Sequence, residues 1–139
     1  MSRIGRMIVG LLTAVACVIV PTGAASAAGA EEDVVACAID WDGWSNTGGF
    51  TAGITIHNTG TVTLYGWTLL FPLEEGAVIV NMWNAEPLTR SGLIAARDLG
   101  YNAKVPRGGS ETLGFEATGP LTRVPSPFKV NGVECTVNE

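Results

Sequence analysis

Histidine is almost absent from this chain: His57 is the only one among 139 residues. A Ser–His–Asp or Cys–His nucleophilic set needs a histidine held by a third group, and one residue on the polar face of a strand beside a turn reads as an exposed strand residue. Metal chemistry is equally short of ligands, because only Cys37 and Cys135 remain beyond the N-terminal apolar segment. An oxidative copper site for polysaccharide cleavage needs histidine at the mature N-terminus, where this chain places alanine. The acids fall mainly in turns and near the N-terminus: Glu31, Glu32 and Asp33, then Glu74-Glu75 before Gly76, with Asp40 and Asp42 flanking Trp41. They offer no evident pair facing across a cleft for glycoside hydrolysis. No glycine-rich phosphate loop is present.

Long hydrophobic runs and basic residues are also scarce. "MIVGLLTAVACVIV" has 14 residues, short of the roughly 18–20 that a spanning helix needs. It follows the basic "MSRIGR" and precedes "PTGAASA", with Ala25-Ser26-Ala27 fitting a cleavage site. This is the three-part pattern of a secretory signal peptide over 1–27. A lipoprotein signal at Cys17 fits less well, since "TAVA" lacks the upstream leucine and the apolar run continues past the cysteine. Cleavage leaves a tail at 28–36 and one domain at 37–139, with six basic residues against thirteen acidic ones, a formal charge of −7. That balance disfavours nucleic acid and, after signal cleavage, anionic membranes. Export places Cys37 and Cys135 in an oxidising compartment, where a disulfide is the default. A loop of this length contributes roughly 4–5 kcal/mol on the chain-entropy account.

What is abundant is short alternating apolar segments. "VVACAIDW" (34–41), "FTAGITIHN" (50–58), "TLYGWTLLF" (63–71), "AVIVNMW" (77–83), "ETLGFEAT" (111–118) and "PFKVNGVEC" (127–135) read as strands. Phe50, Ala52, Ile54 and Ile56 share one face, and Thr51, Thr55 and His57 the other. Asn131-Gly132 is a two-residue hairpin signal. No sustained helical period follows the signal. The expectation is an all-β chain, an antiparallel sandwich or jelly roll.

The aromatics then divide. Trp67, Leu69 and Phe71 share a face and read as core, as do Phe115 and Phe128. Trp83 and Tyr101 are each followed by asparagine and sit at a strand end or in a loop. "WDGWSNTGGF" (41–50) places two tryptophans among small and polar residues that read as a turn. Strand parity puts Trp41 and Trp44 on opposite faces if the chain stays extended.

Several blocks in order resemble a family 2 carbohydrate-binding module. They are Cys37 followed four residues later by Trp41, "GGFTAGITIHNTG" (48–60), "GWTL" (66–69), Trp83-Asn84, "YN…PRGG" (101–109), "LGFEATG" (113–119) and the closing "NGVEC". The resemblance implies a sandwich of about nine antiparallel strands, with a Cys37–Cys135 disulfide between first and last. It implies binding of insoluble polysaccharide, cellulose first and chitin next, through a flat strip of exposed rings. Carried over position by position, the site is Trp83 and Tyr101, with Asn81 and Asn102 as polar partners and Trp41 and Trp67 as core. The family's first surface aromatic falls at Asn46; Trp44 is displaced from it by two, a shift that keeps the face. Gly53 stands where the family often has asparagine. "LLFPLEEG" places its proline earlier than usual, so the strip is expected to be weaker or differently selective than in a typical cellulose binder. Thr47, Gly48 and Gly49, in place of a ring-turning arginine, lean away from xylan.

The reading is therefore a secreted, monomeric, non-catalytic module needing no cofactor. The alternative is a cell-envelope interaction or structural protein using the same sandwich, and a small hydrolase ranks third.

Overall fold

The computed structural model describes residues 31–138. The expected signal peptide and the first residues of the tail lie outside them. The strands, in chain order, are β1 Cys37–Asn46, β2 Gly49–Asn58, β3 Leu64–Tyr65, β4 Thr68–Pro72, β5 Val78–Trp83, β6 Glu86–Pro87, β7 Leu93–Arg97, β8 Lys104–Val105, β9 Ser110–Thr118, β10 Lys129–Val130, β11 Val133–Glu134 and β12 Thr136–Asn138. No helix occurs among the described residues. The first sheet has the order β12-β1-β2-β9-β5 and the second β11-β10-β4-β7-β6, with a two-stranded ribbon β3-β8 beside them. The all-β expectation holds. The strand count is twelve rather than the nine or so the resemblance implied; five of the twelve, β3, β6, β8, β10 and β11, are two residues long.

The segment 41–50 is more strand than turn. β1 runs unbroken to Asn46 and pairs with β2 in register down to Asn46↔Gly49, so the turn is confined to Thr47-Gly48. Gly48 has φ +81°, the left-handed conformation such a tight loop needs and glycine adopts without strain.

Alternation fills the core as the sequence predicts. Ile39, Phe50, Ala52, Ile54, Ile56, Leu113 and Phe115 of the first sheet meet Leu69, Phe71, Ile94 and Ala96 of the second, all fully buried. Phe115 is the hub. Its ring centroid lies 5.6 Å from Phe71, 5.7 Å from Phe50 and 6.1 Å from Trp41. Phe128 continues the stack, 5.3 Å from Phe71 and 5.9 Å from Trp41. Such offset and tilted pairs add about 0.5–1.5 kcal/mol each beyond area burial. Trp41 is only partly buried but packs on the core, and Trp67 is buried with its indole N–H donating to the Asn102 carbonyl at 2.9 Å.

The disulfide joins Cys37 and Cys135 across 98 residues. Cys135 lies between β11, in the second sheet, and β12, which pairs in parallel with β1 in the first. The closing "VEC" strand is thus split at the point where the chain crosses between sheets. Residues 31–36 are held as well: Val34 N–H donates to Thr61 Oγ1 at 2.8 Å, and Thr61 N–H to the Val34 carbonyl at 2.8 Å.

Candidate carbohydrate-binding face

The outer surface of the first sheet is built from every second residue of its strands. Two adjacent cross-strand rows can be read from the pairing. One is Trp44 (β1), Thr51 (β2), Glu116 (β9) and Asn81 (β5). The next is Asp42, Gly53, Gly114 and Trp83. Trp44 and Trp83 therefore stand on one face, at diagonal corners of a block four strands wide. With strands about 4.8 Å apart and a two-residue step of about 6.8 Å, their Cα atoms are separated by roughly 16 Å. The surface between them carries Thr51, Gly53 and Gly114, which keep relief low, and the exposed carboxylate of Glu116, with Asn81 and Asp42 at the other two corners.

Parity alone would not put Trp83 outside. Ile79 faces the core, and Trp83, four residues on, should share its face. The pairing slips by one between Ile79↔Ala117 and Asn81↔Glu116, leaving Val80 extra. This β-bulge reverses the phase of the strand. Met82 then turns inward opposite Phe115, and Trp83 turns outward opposite Gly114.

Gly114 sets how Trp83 lies. A Cβ built there would fall 2.6 Å from the indole Nε1 and closer still to Cε2 and Cζ2. The Nε1–Cε2–Cζ2 edge of the indole thus passes over Gly114 at a distance that only a residue without a β-carbon allows. Trp83 is 40% exposed and Trp44 53%.

Tyr101 comes from the turn between β7 and β8 and is 75% exposed. It is tied to the end of β5, because its hydroxyl donates to Asn84 Oδ1 at 2.9 Å. Asn102 is buried, 3% exposed. Its Nδ2 donates to the Asn84 carbonyl at 2.7 Å, and its Oδ1 accepts from Leu99 N–H at 2.8 Å. The expectation that Asn102 meets a sugar is thereby corrected: its amide is spent inside the protein, holding the Tyr101 turn. Asn81 is exposed, one row from Trp83 on the same strand.

The far end of this face carries a polar cluster. His57 Nε2 lies 2.6 Å from Asp40 Oδ2, and Asn138 Nδ2 donates to Asp40 Oδ1 at 2.8 Å. The Asn138 bond, then the His57 bond, hold the exposed Asp40 carboxyl below its ordinary value. Lysine and arginine are missing from the outward positions of β1, β2, β5, β9 and β12.

Sequence reasoning missed Gly114, Asn84 and the Val80 bulge. Glycine inside "LGFEA" was a usable sign of close approach. It also left Tyr65 unplaced, which is 80% exposed on the β3-β8 ribbon opposite Lys104.

Comparison with known proteins agrees with the sequence resemblance. The family model described as cellulose binding domain matches residues 35–135. Exoglucanase A of Cellulomonas fimi is 32% identical over 102 residues, covering 73% of this chain and 12% of that protein. Chitinase C of Streptomyces lividans is 31% identical over 113 residues, covering 81% of this chain and 18% of that protein. The chain thus spans under a fifth of the length of these relatives. Among solved structures, the chitin-binding domain of Chi18aC from Streptomyces coelicolor superposes with a TM-score of 0.60 at 28% identity, covering 73% of this chain and 96% of that one.

Proposed function

Because the chain belongs to the cellulose-binding domain family, we propose that the outer face of its first sheet adsorbs to insoluble polysaccharide, cellulose or chitin, without catalysis. The observation that carries this reading is the exposed Trp83 indole packed over Gly114, on the same face as the exposed Trp44. A pyranose presents a face of C–H groups with its hydroxyls directed sideways. Flat rings on a rigid sheet match such a surface and lose little freedom on binding. Trp44, Trp83 and Tyr101 supply the rings, and Asn81 offers an amide to sugar hydroxyls. One ring retains a ligand poorly, at about 0.5–1.5 kcal/mol beyond area burial, so the set must act together. The named relatives, an exoglucanase and a chitinase, and the chitin-binding domain support the two polymers. The module works outside the cell, a reading supported by the signal-like segment at 1–27.

Depletion from solution by microcrystalline cellulose, chitin and xylan tests the proposal, comparing wild type with Trp83→Ala. Wild type should adsorb to cellulose or chitin, and the variant should lose about 2 kcal/mol, close to thirtyfold. If wild type ignores all three polymers, or the variant adsorbs equally, the reading fails. A cell-envelope interaction role would then take its place.

A further inference from the structure

Tyr101 differs from the two tryptophans in how it is held. Trp44 and Trp83 are strand residues, fixed by sheet register. Tyr101 sits on a turn, and a ring on a turn keeps its place only if something ties it there. The turn is anchored to the core from below. Asp98 Oδ2 accepts from the Trp67 backbone N–H at 3.0 Å, its Oδ1 accepts from Gly100 N–H at 2.9 Å, and the Asn102 carbonyl accepts from the Trp67 indole at 2.9 Å. These bonds fix the backbone and leave the Tyr101 side chain unheld. The ring is held by one further bond, from its hydroxyl to Asn84 Oδ1 at 2.9 Å.

Asn84 stands at the corner where the chain leaves β5 in the first sheet for β6 in the second. Its φ is +59°, a conformation that asparagine and aspartate tolerate better than other non-glycine residues. It also directly follows Trp83. One residue therefore receives the Asn102 amide on its carbonyl and the Tyr101 hydroxyl on its side chain, while its backbone continues from Trp83.

We infer that Asn84 is the positioning residue of the binding face, locking the Tyr101 ring at the corner that directly follows Trp83 through its side-chain oxygen. This rests on the proposed polysaccharide-binding role of the face. The Tyr101 hydroxyl is consumed by that bond, so Tyr101 meets a sugar with its ring and not as a hydrogen-bonding phenol. A loose ring must be ordered at the moment of binding, whereas a tethered one is ordered beforehand.

Three substitutions separate the roles. Asn84→Gly keeps the left-handed backbone and removes the acceptor. Asn84→Asp keeps both. Tyr101→Phe keeps the ring and removes the donor. Adsorption of the full chain to microcrystalline cellulose and to chitin should fall by the same roughly three- to tenfold in Asn84→Gly and Tyr101→Phe, the range of one hydrogen bond. The double variant should be no weaker than either alone, and Asn84→Asp should adsorb like wild type. If the hydroxyl instead bonded sugar directly, Asn84→Gly would bind normally and Tyr101→Phe would not, overturning the inference. Additive losses in the double variant, or a loss in Asn84→Asp equal to that of Asn84→Gly, would overturn it too. Nuclear Overhauser contacts between the Tyr101 ring and the Asn84 side chain, measured without polysaccharide, provide a readout independent of adsorption. They should be present in wild type and Asn84→Asp and absent in Tyr101→Phe. If wild type adsorbs to nothing, the proposed function fails while these contacts still decide the positioning role; their persistence in Tyr101→Phe would refute it.

Discussion

Gly114 determines how one tryptophan is used. The indole of Trp83 fills the space a β-carbon would take, and the atoms in conflict are the far end of a side chain that can swing away. Gly114→Ala should therefore cost little stability. The displaced ring would leave its place over Gly114 and no longer present the same surface to a sugar face. Adsorption should drop by about tenfold or more, close to Trp83→Ala, while the melting temperature stays within a few degrees of wild type. Adsorption isotherms paired with thermal melts check this. Trp83 and Tyr101 were legible as aromatics in polar surroundings, but nothing in "YN" shows which residue faces solvent. Asn102 looked like a ligand contact and is buried, because the turn at Asp98–Ala103 needed an amide to close it.

At the level of the strand, the bulge in β5 puts Ile79 and Trp83 on opposite faces although four residues separate them. Periodicity in "AVIVNMW" could not reveal this, since one extra residue inverts the phase of everything after it. Deleting Val80 would restore a regular ladder, with Ile79 still inward and Trp83 still outward. The deletion should fold, and Trp83 should stay accessible to a soluble fluorescence quencher, which is unusual for a deletion inside a strand. Aggregation, or burial of Trp83, would contradict this account of the bulge. By contrast β2 was fully legible: Phe50, Ala52, Ile54 and Ile56 alternate with outward residues along an unbroken register. In the second sheet the β10-β11 hairpin was legible from Asn131-Gly132, and Val130 pairs with Val133 across it; the two-residue β6 was not, because two residues carry no period.

For the whole molecule, the face and the core separate cleanly. Phe115 and its neighbours hold the sheets together on one side, and Trp44 and Trp83, the strand rings proposed to bind, stand on the other. Reducing the Cys37–Cys135 disulfide should remove about 2–5 kcal/mol and lower the melting temperature by at least about 10 °C. Protein kept below its new transition should adsorb as before, since no ring depends on the bridge. Acid acts through other groups. Glu74 is held below its ordinary 4.5 by the Thr122 hydroxyl and then its backbone N–H, and Asp40 below its ordinary 3.8 by Asn138 and then His57. Depressed carboxyl values mean stability present above the ordinary values and lost as pH falls through the lowered ones. Melting temperature should hold at the top of the carboxylate range and decline below about pH 4. Asp40 is exposed and Glu74 only half-buried, so solvent screens both and the decline should be shallow.

The most direct measurement is the adsorption isotherm on microcrystalline cellulose and on chitin for wild type and for Trp44→Ala/Trp83→Ala, with folding of both checked by circular dichroism. The predicted result is saturable adsorption by wild type to at least one polymer and near-complete loss in the double variant at unchanged fold. Equal adsorption by the two proteins would contradict the assignment of this face.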